Sequence, residues 1–347
     1  MRSLIRFIVF TAVGGVTATL PLFASAHEAY VLHHSTFTRL VAKQSPNPLT
    51  AIVGNEYQFI FWGFIVFLVV VSIFCISLFH KYELTMLPLY RRLRKYAQPL
   101  ARITLGACLL TGAYFGGVFG PELSLFDIGG PFDWLLKYIL YISGALILVG
   151  FYPRFGALVA LGVYGLAIVQ EGSYMLTYTN YLGEIVLTMI LGGGALSFSK
   201  NKLPKSKVLH RIIKKVEPYS FLILRVGFGV AVMFAAFYAK FLHSNLALQT
   251  IQDFQLTNYF HFDPLFIVLG AFILESILGL FIIFGIELRW TSLFFLFWLG
   301  LSLMYFGESV WPHLVLLGLN LVVLFHGYDR YTVECFLFKR HRRELVS

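Results

Sequence analysis

Nine apolar runs, each at or near the length needed to cross a bilayer, leave this chain few folds to choose from. They fall at about residues 59–79, 102–119, 134–151, 155–171, 180–198, 219–241, 265–285, 290–306 and 310–327. Backbone N–H and C=O groups inside lipid have no water to bond, so isolated runs of this length must satisfy themselves as helices. The expected fold is all-α, a polytopic membrane helix bundle. With 58% hydrophobic residues and only 13% charged in 347, the chain is too apolar for a soluble domain. A net charge of +10 would point to nucleic acid in a soluble chain. Here the basic residues stand in short blocks between apolar runs, which reads as topology and not as nucleic-acid binding.

The opening segment carries Arg2 and Arg6, an apolar stretch from Phe7 to about Leu20, and the small-residue triplet Ala24-Ser25-Ala26. This is the pattern of a signal peptide over residues 1–26, with nine spans after it. If it is retained instead as a first span, residue 27 still faces outward. Cleavage would leave His27 as a free amino terminus with His33 and His34 close by, and amine and imidazole nitrogens together suit copper. Cys75, Cys108 and Cys335 are far apart and form no CxxC pair, so neither a dithiol redox site nor thiolate metal binding nor c-type haem attachment is indicated.

Orientation follows from the connections. Residues 80–100 hold Lys81, Arg91, Arg92, Arg94 and Lys95. Residues 199–217 hold Lys200, Lys202, Lys205, Lys207, Arg211, Lys214 and Lys215, and the tail from 328 holds Arg330, Lys339, Arg340, Arg342 and Arg343. Nine spans put all three on one side, where the tight hairpins "FYPRFG" and "GIELRW" add Arg154 and Arg289. The opposite loops carry Glu122, Asp127, Asp253 and Asp263. By the positive-inside rule the basic side is cytoplasmic, and residues 27–57 lie in the periplasm of a bacterial inner membrane. The basic blocks are read as retention charges, with anionic lipid as the other possibility.

An internal repeat organises the spans. "RITLGACLLTGAYFGG" from Arg102 parallels "RVGFGVAVMFAAFYAK" from Arg225 at a spacing of 123, so Gly106 matches Gly229. Gly144, Gly150 and Arg154 match Gly279, Gly285 and Arg289 at a spacing of 135, and "EIVL" from Glu184 lies against "HLVL" from His313. One amino-terminal span with its basic loop (58–100) is thus followed by two parallel four-helix units, 101–198 and 218–327, joined by the basic linker 199–217. Such repeats are related by a pseudo-twofold axis along the membrane normal. Small residues recur because close backbone approach drives helix association in lipid, and Gly112, Gly116 and Gly120 are expected as one packing stripe on the first helix of unit one. The triplet Gly192 to Gly194 reads as close packing or a flexible helix exit.

Each unit resembles the DoxX-like four-helix membrane domain. The residues that carry the resemblance are Arg225, Gly229, Lys240, Gly285 and Arg289 in unit two, and Arg102, Gly106, Gly150, Arg154 and Glu184 in unit one. Gly117 stands where that pattern has a Lys in unit one, and the amino-terminal span lies outside it. The resemblance implies a membrane subunit of a quinone-linked redox system, with quinone as the implied cofactor and a separate soluble or peripheral redox partner.

Ionisable residues inside spans are the sharpest clues, since a mid-bilayer charge costs about 3 kcal/mol even on insertion scales. Glu275 lies halfway along its span, about 15 Å from either end. A carboxyl there suits proton transfer beside a quinone or in coupled transport. Lys240, Glu308 and His313 in unit two and Glu184 in unit one lie toward the outer span ends; with Glu275 they form the candidate catalytic set. His313 is the candidate proton relay. His313 and His326 lie at mismatched depths, so a haem is not expected, and His243 and His261 belong to the outer loop 242–264. Three function classes stay open: redox membrane subunit, small-solute or proton-coupled permease, and copper-handling or assembly factor using His27, His33 and His34.

Overall fold

The computed structural model describes residues 32, 34–52, 57–198, 207–306 and 310–336. Among them every regular element is helical, and the one extended pairing is an isolated bridge between Gly117 and Ser124. Five helical stretches are long and apolar enough to cross a membrane: Leu125–Val149, Pro153–Leu191, His210–Leu242, Pro264–Phe284 and Leu288–Phe306. Shorter apolar helices cover Phe59–Leu68 and Trp311–His326. The chain is therefore a multi-pass, all-α membrane bundle. His27 and His33 lie outside the described residues, as do Glu308 and the signal segment 1–26.

The helices, in chain order, are α1 (His34–Val41), α2 (Tyr57–Leu93), α3 (Ala97–Phe115), the short α4 (Leu125–Gly129), α5 (Asp133–Val149), α6 (Pro153–Glu171) and α7 (Thr179–Leu191). They continue as α8 (Lys207–Val216), α9 (Ser220–Ala236), α10 (Ser244–Asp253), α11 (Pro264–Phe284), α12 (Leu288–Phe306), α13 (Val310–His326) and α14 (Val333–Phe336). A π-helical turn, Phe237–Leu242, follows α9 directly. One continuous apolar core runs through α3, α5, α6, α7, α9, α11, α12 and α13. On α2, Phe59, Trp62, Phe67 and Phe74 stand exposed, which is the surface that lipid solvates.

Glycine sets the closest helix pairs. A Cβ on Gly106 would lie 2.8 Å from the Gly144 carbonyl oxygen and 2.5 Å from Leu148 N, so α3 and α5 touch backbone to backbone. In the second unit a Cβ on Gly229 would lie 2.6 Å from the Gly279 carbonyl oxygen, which fixes α9 against α11 in the same way. The units also exchange partners: α3 packs on α13, and α9 packs on α7. At that second contact Gly183 lies under the Leu224 backbone, and the Thr179 hydroxyl donates to the Gly227 carbonyl at 2.9 Å.

Three boundaries differ from those read in the sequence. The first long helix does not stop near 79 but continues to Leu93, 37 residues in all, and Glu83 and Tyr90 on this extension both engage Arg289. The first helix of unit one ends at Phe115, where Gly116 takes φ +82° as a left-handed cap. Gly112, Gly116 and Gly120 are consequently not one helical stripe: Gly112 packs in the helix, Gly116 caps it, and Gly120 lies in the loop beyond. The segment 242–264, read as a loop, contains α10, whose buried face carries Leu246, Ala247 and Ile251.

Candidate functional site

Most buried cations in the bundle serve the helix ends. The last carbonyls of a helix lack N–H partners and carry its negative pole, so an Arg fork nearby meets both needs. Arg102, 1% exposed, donates to the Ile147, Leu148, Gly193 and Leu196 carbonyls and so ties the ends of α5 and α7 to α3. Arg154 donates to Met189 and Ile190 at the same end of α7. In unit two Arg289 reaches the Leu324 carbonyl on α13, and Arg225 donates to Tyr331 O at 3.3 Å with Asp329 3.9 Å away. The Gly192 and Gly193 carbonyls accept from Gln98 and Arg102, so the glycine triplet is a helix exit held by side chains. These four arginines are structural.

Lys240 and Glu275 are different. Lys240 sits in the π-helical turn after α9 and Glu275 in the middle of α11, with Lys240 Nζ 3.0 Å from Glu275 Oε2. The Lys240 side chain is 7% exposed and that of Glu275 15%. A π turn widens the helix by one residue per turn and recurs at functional sites, and here it places the ammonium inward against α11. Phe237 stacks on Phe241 with ring centroids 5.4 Å apart and Phe241 tilts against Phe272 at 5.3 Å; Phe237 and Phe241 flank Lys240 in its turn, and Phe272 lies one turn before Glu275. The arrangement is a largely buried ion pair, where hydrogen bonding and charge count for more than in water.

The amino-terminal segment lies over this end of unit two. Leu32 and Leu40 share an apolar cluster with Ala239 and Leu246, and Phe37 packs onto it. The Ser244 hydroxyl donates to the Pro46 carbonyl at 2.6 Å, and Asn245 donates to the Gln44 carbonyl at 3.1 Å. His243 joins the π turn to α10 with its ring 4.6 Å from that of Tyr238, and partial burial holds its imidazole below the usual range.

The remaining candidates are not gathered at this pair. Glu184 lies on α7 with no exposure, and its Oε1 accepts from the Thr104 hydroxyl of α3 at 3.1 Å. His313 is buried on α13 at 2% exposure. His34 begins α1, and no group of three His, Cys, Asp or Glu side chains that would hold a metal stands together among the described residues. His326 is buried and stacks on Phe221 with ring centroids 3.6 Å apart.

Two sites escaped the sequence. Glu83 pairs with Arg289 at 2.6 Å, both side chains 2% exposed, with the Tyr328 hydroxyl 3.5 Å from the same carboxylate. Its signal was an acid one turn beyond an apolar run, inside a block otherwise read as basic. Glu122, in the loop after α3, accepts from the hydroxyls of Tyr174 and Tyr178. Nothing in the residue spacing joins positions so far apart. No family model, curated protein or solved structure matches the chain.

Proposed function

We propose that the chain is a nine-span subunit of a bacterial inner membrane, with its basic loops in the cytoplasm, that works beside a quinone in a redox system whose electrons come from a separate partner protein. Its two four-helix units resemble the DoxX-like domain. The observation that carries the reading is the Lys240–Glu275 pair, held 3.0 Å apart among Phe237, Phe241 and Phe272. A quinone supplies two-electron, two-proton chemistry, and its flat apolar head suits stacked phenyl rings. Lys240 has N–H donors for a carbonyl oxygen, while Glu275 has a carboxylate to accept a phenolic proton and return it. The two charges offset each other, so the pair can stay in the bundle between turnovers.

The test is binding of a short-chain quinone to the purified full chain in lipid nanodiscs, read by tryptophan fluorescence. Lys240→Met and Glu275→Gln are each expected to weaken binding at least tenfold while the circular-dichroism spectrum stays helical, the equivalent of about 1.4 kcal/mol. Unchanged affinity in both variants overturns the reading.

A proton-coupled permease is the second reading. It is favoured by the burial of Glu184 beside the joint where α7 meets α9 and α3 meets α13. Acidification-driven uptake by reconstituted vesicles distinguishes it.

A further inference from the structure

Glu184 is buried without a counter-charge. Its Oε1 accepts from Thr104, its Oε2 has no hydrogen-bond partner, and no cation lies within ion-pair distance of it among the described residues. Along the same stripe the Oγ1 of Thr177, the Oδ1 of Asn180 and the Oγ1 of Thr188 are also buried and unpartnered, at spacings of 3, 4 and 4 residues that bring them to one helix face. Buried oxygens in native proteins are almost always paired, and an isolated one costs about 1–3 kcal/mol. Four in a row, each able to accept, are the lining that protons and hydrogen-bonding water require.

The two ends of this row differ. Toward the face opposite the basic loops it leads to Tyr181, one turn before Glu184, and then to Tyr178, whose ring lies 6.0 Å from that of Tyr181. The Tyr178 hydroxyl donates to Glu122, in a partly exposed loop. Toward the basic face, Arg154 holds the Met189 and Ile190 carbonyls and Arg102 the Gly193 and Leu196 carbonyls, so two fixed guanidinium charges close the row to a moving cation. The neighbouring helices add little titratable character. On α3 there is Cys108, whose thiol donates to the Trp311 carbonyl of α13, and His313 falls two residues on, roughly 200° around that helix. On α9, Leu224 lies over Gly183 and the Gly227 carbonyl accepts from Thr179, while the Arg225 guanidinium is turned to Tyr331 and Asp329.

We propose that Glu184 is an internal proton-exchange site, served from the non-basic face through Glu122, Tyr178 and Tyr181 and closed toward the basic face by Arg102 and Arg154. Glu122 takes a proton from water, and each hydroxyl along the row gains one O–H bond as it gives up another. Glu184 ends as the neutral acid with Glu122 again a carboxylate, and no electron moves. The site shares no residue with the Lys240–Glu275 pair and so does not rest on the quinone reading, while it deepens the permease reading, which draws on the same buried Glu184.

Infrared spectroscopy of the full chain in nanodiscs at neutral pH tests it. A protonated-carboxyl C=O band is expected that disappears in Glu184→Gln, persists in Glu275→Gln, and shifts in frequency in Glu184→Asp. Transfer into heavy water should shift the band slowly, and several-fold more slowly still in Tyr178→Phe and Glu122→Gln. A band absent at neutral pH, or one that survives in Glu184→Gln, overturns the site. Exchange at the wild-type rate in both Tyr178→Phe and Glu122→Gln overturns the route. Should Glu184→Gln fail to fold, an unshifted band in Glu184→Asp has the same force.

Discussion

Lys240 Nζ stands 3.0 Å from Glu275 Oε2 between α9 and α11, whereas the matching positions between α3 and α5, at the repeat spacings of 123 and 135, are Gly117 and Leu140. Leu140 is wholly buried in the core. The same helix pairing is therefore made once with a charge pair and once without, so helix packing of this kind does not require the charges.

Removing one member of a buried pair leaves the other uncompensated, which costs about 3–5 kcal/mol, with Glu275 toward the lower end because it is partly exposed. Lys240→Met is expected to lower the thermal midpoint of the detergent-solubilised chain. The double variant Lys240→Met with Glu275→Leu should recover most of the loss, and quinone affinity should not return with it. A double variant no more stable than the single one would show that the pair itself holds α9 to α11.

Gly106→Ala places a Cβ 2.5 Å from Leu148 N, a backbone atom that cannot move without opening the α3–α5 contact. Overpacking of this kind costs about 1–3 kcal/mol or more. Gly162→Ala meets nothing within 4 Å and should be neutral or slightly stabilising through helix propensity. Parallel melts of the two variants check the contrast.

Arg102→Lys keeps the charge but loses the planar fork that serves four carbonyls on two helix ends. Hydrogen bonds to a charged group contribute about 1.5–3 kcal/mol each, and an ammonium replaces only some of them, so a loss of about 3 kcal/mol is expected. Hydrogen exchange should rise first at the carboxyl-terminal turns of α5 and α7. Uniform exchange across α3 would contradict the capping role.

His243 gives the end of unit two that carries the π turn a pH dependence. Partial burial lowers its imidazole below the usual 6.5, so the unfolded state binds more protons as the solution is acidified. Its contribution is complete above the unfolded value and is lost as pH falls from 6.5 toward the lowered one. The midpoint of the wild type should drop as the pH falls below 6.5, and His243→Asn should flatten that slope. An identical slope in the variant would assign it to other groups.

Helical class and membrane character were legible because lipid forces every long apolar run to satisfy its own backbone. Lys240 and Glu275 stood out because charge within such runs is rare. What the residues do not announce is who meets whom across long separations. The extended part of α2 meets Arg289, and Glu122 meets Tyr174 and Tyr178, more than fifty residues away. The end of α3 at Gly116 was missed for a local reason: Gly116 lies within an apolar run, and hydropathy is blind to the sign of φ. In α10 the apolar face is short and interrupted by Asn245 and Gln249, so a segment rich in polar residues passes for a loop.

The Glu83–Arg289 contact also sets an order of events during synthesis. Its members are 206 residues apart, a gap that a ribosome working at about 5–20 residues per second takes about 10–40 s to close. Throughout that interval the acid on α2 has emerged and its guanidinium has not. Until then Glu83 has to stay hydrated or take up a proton, and its bond to α12 can form only once Arg289 has been made.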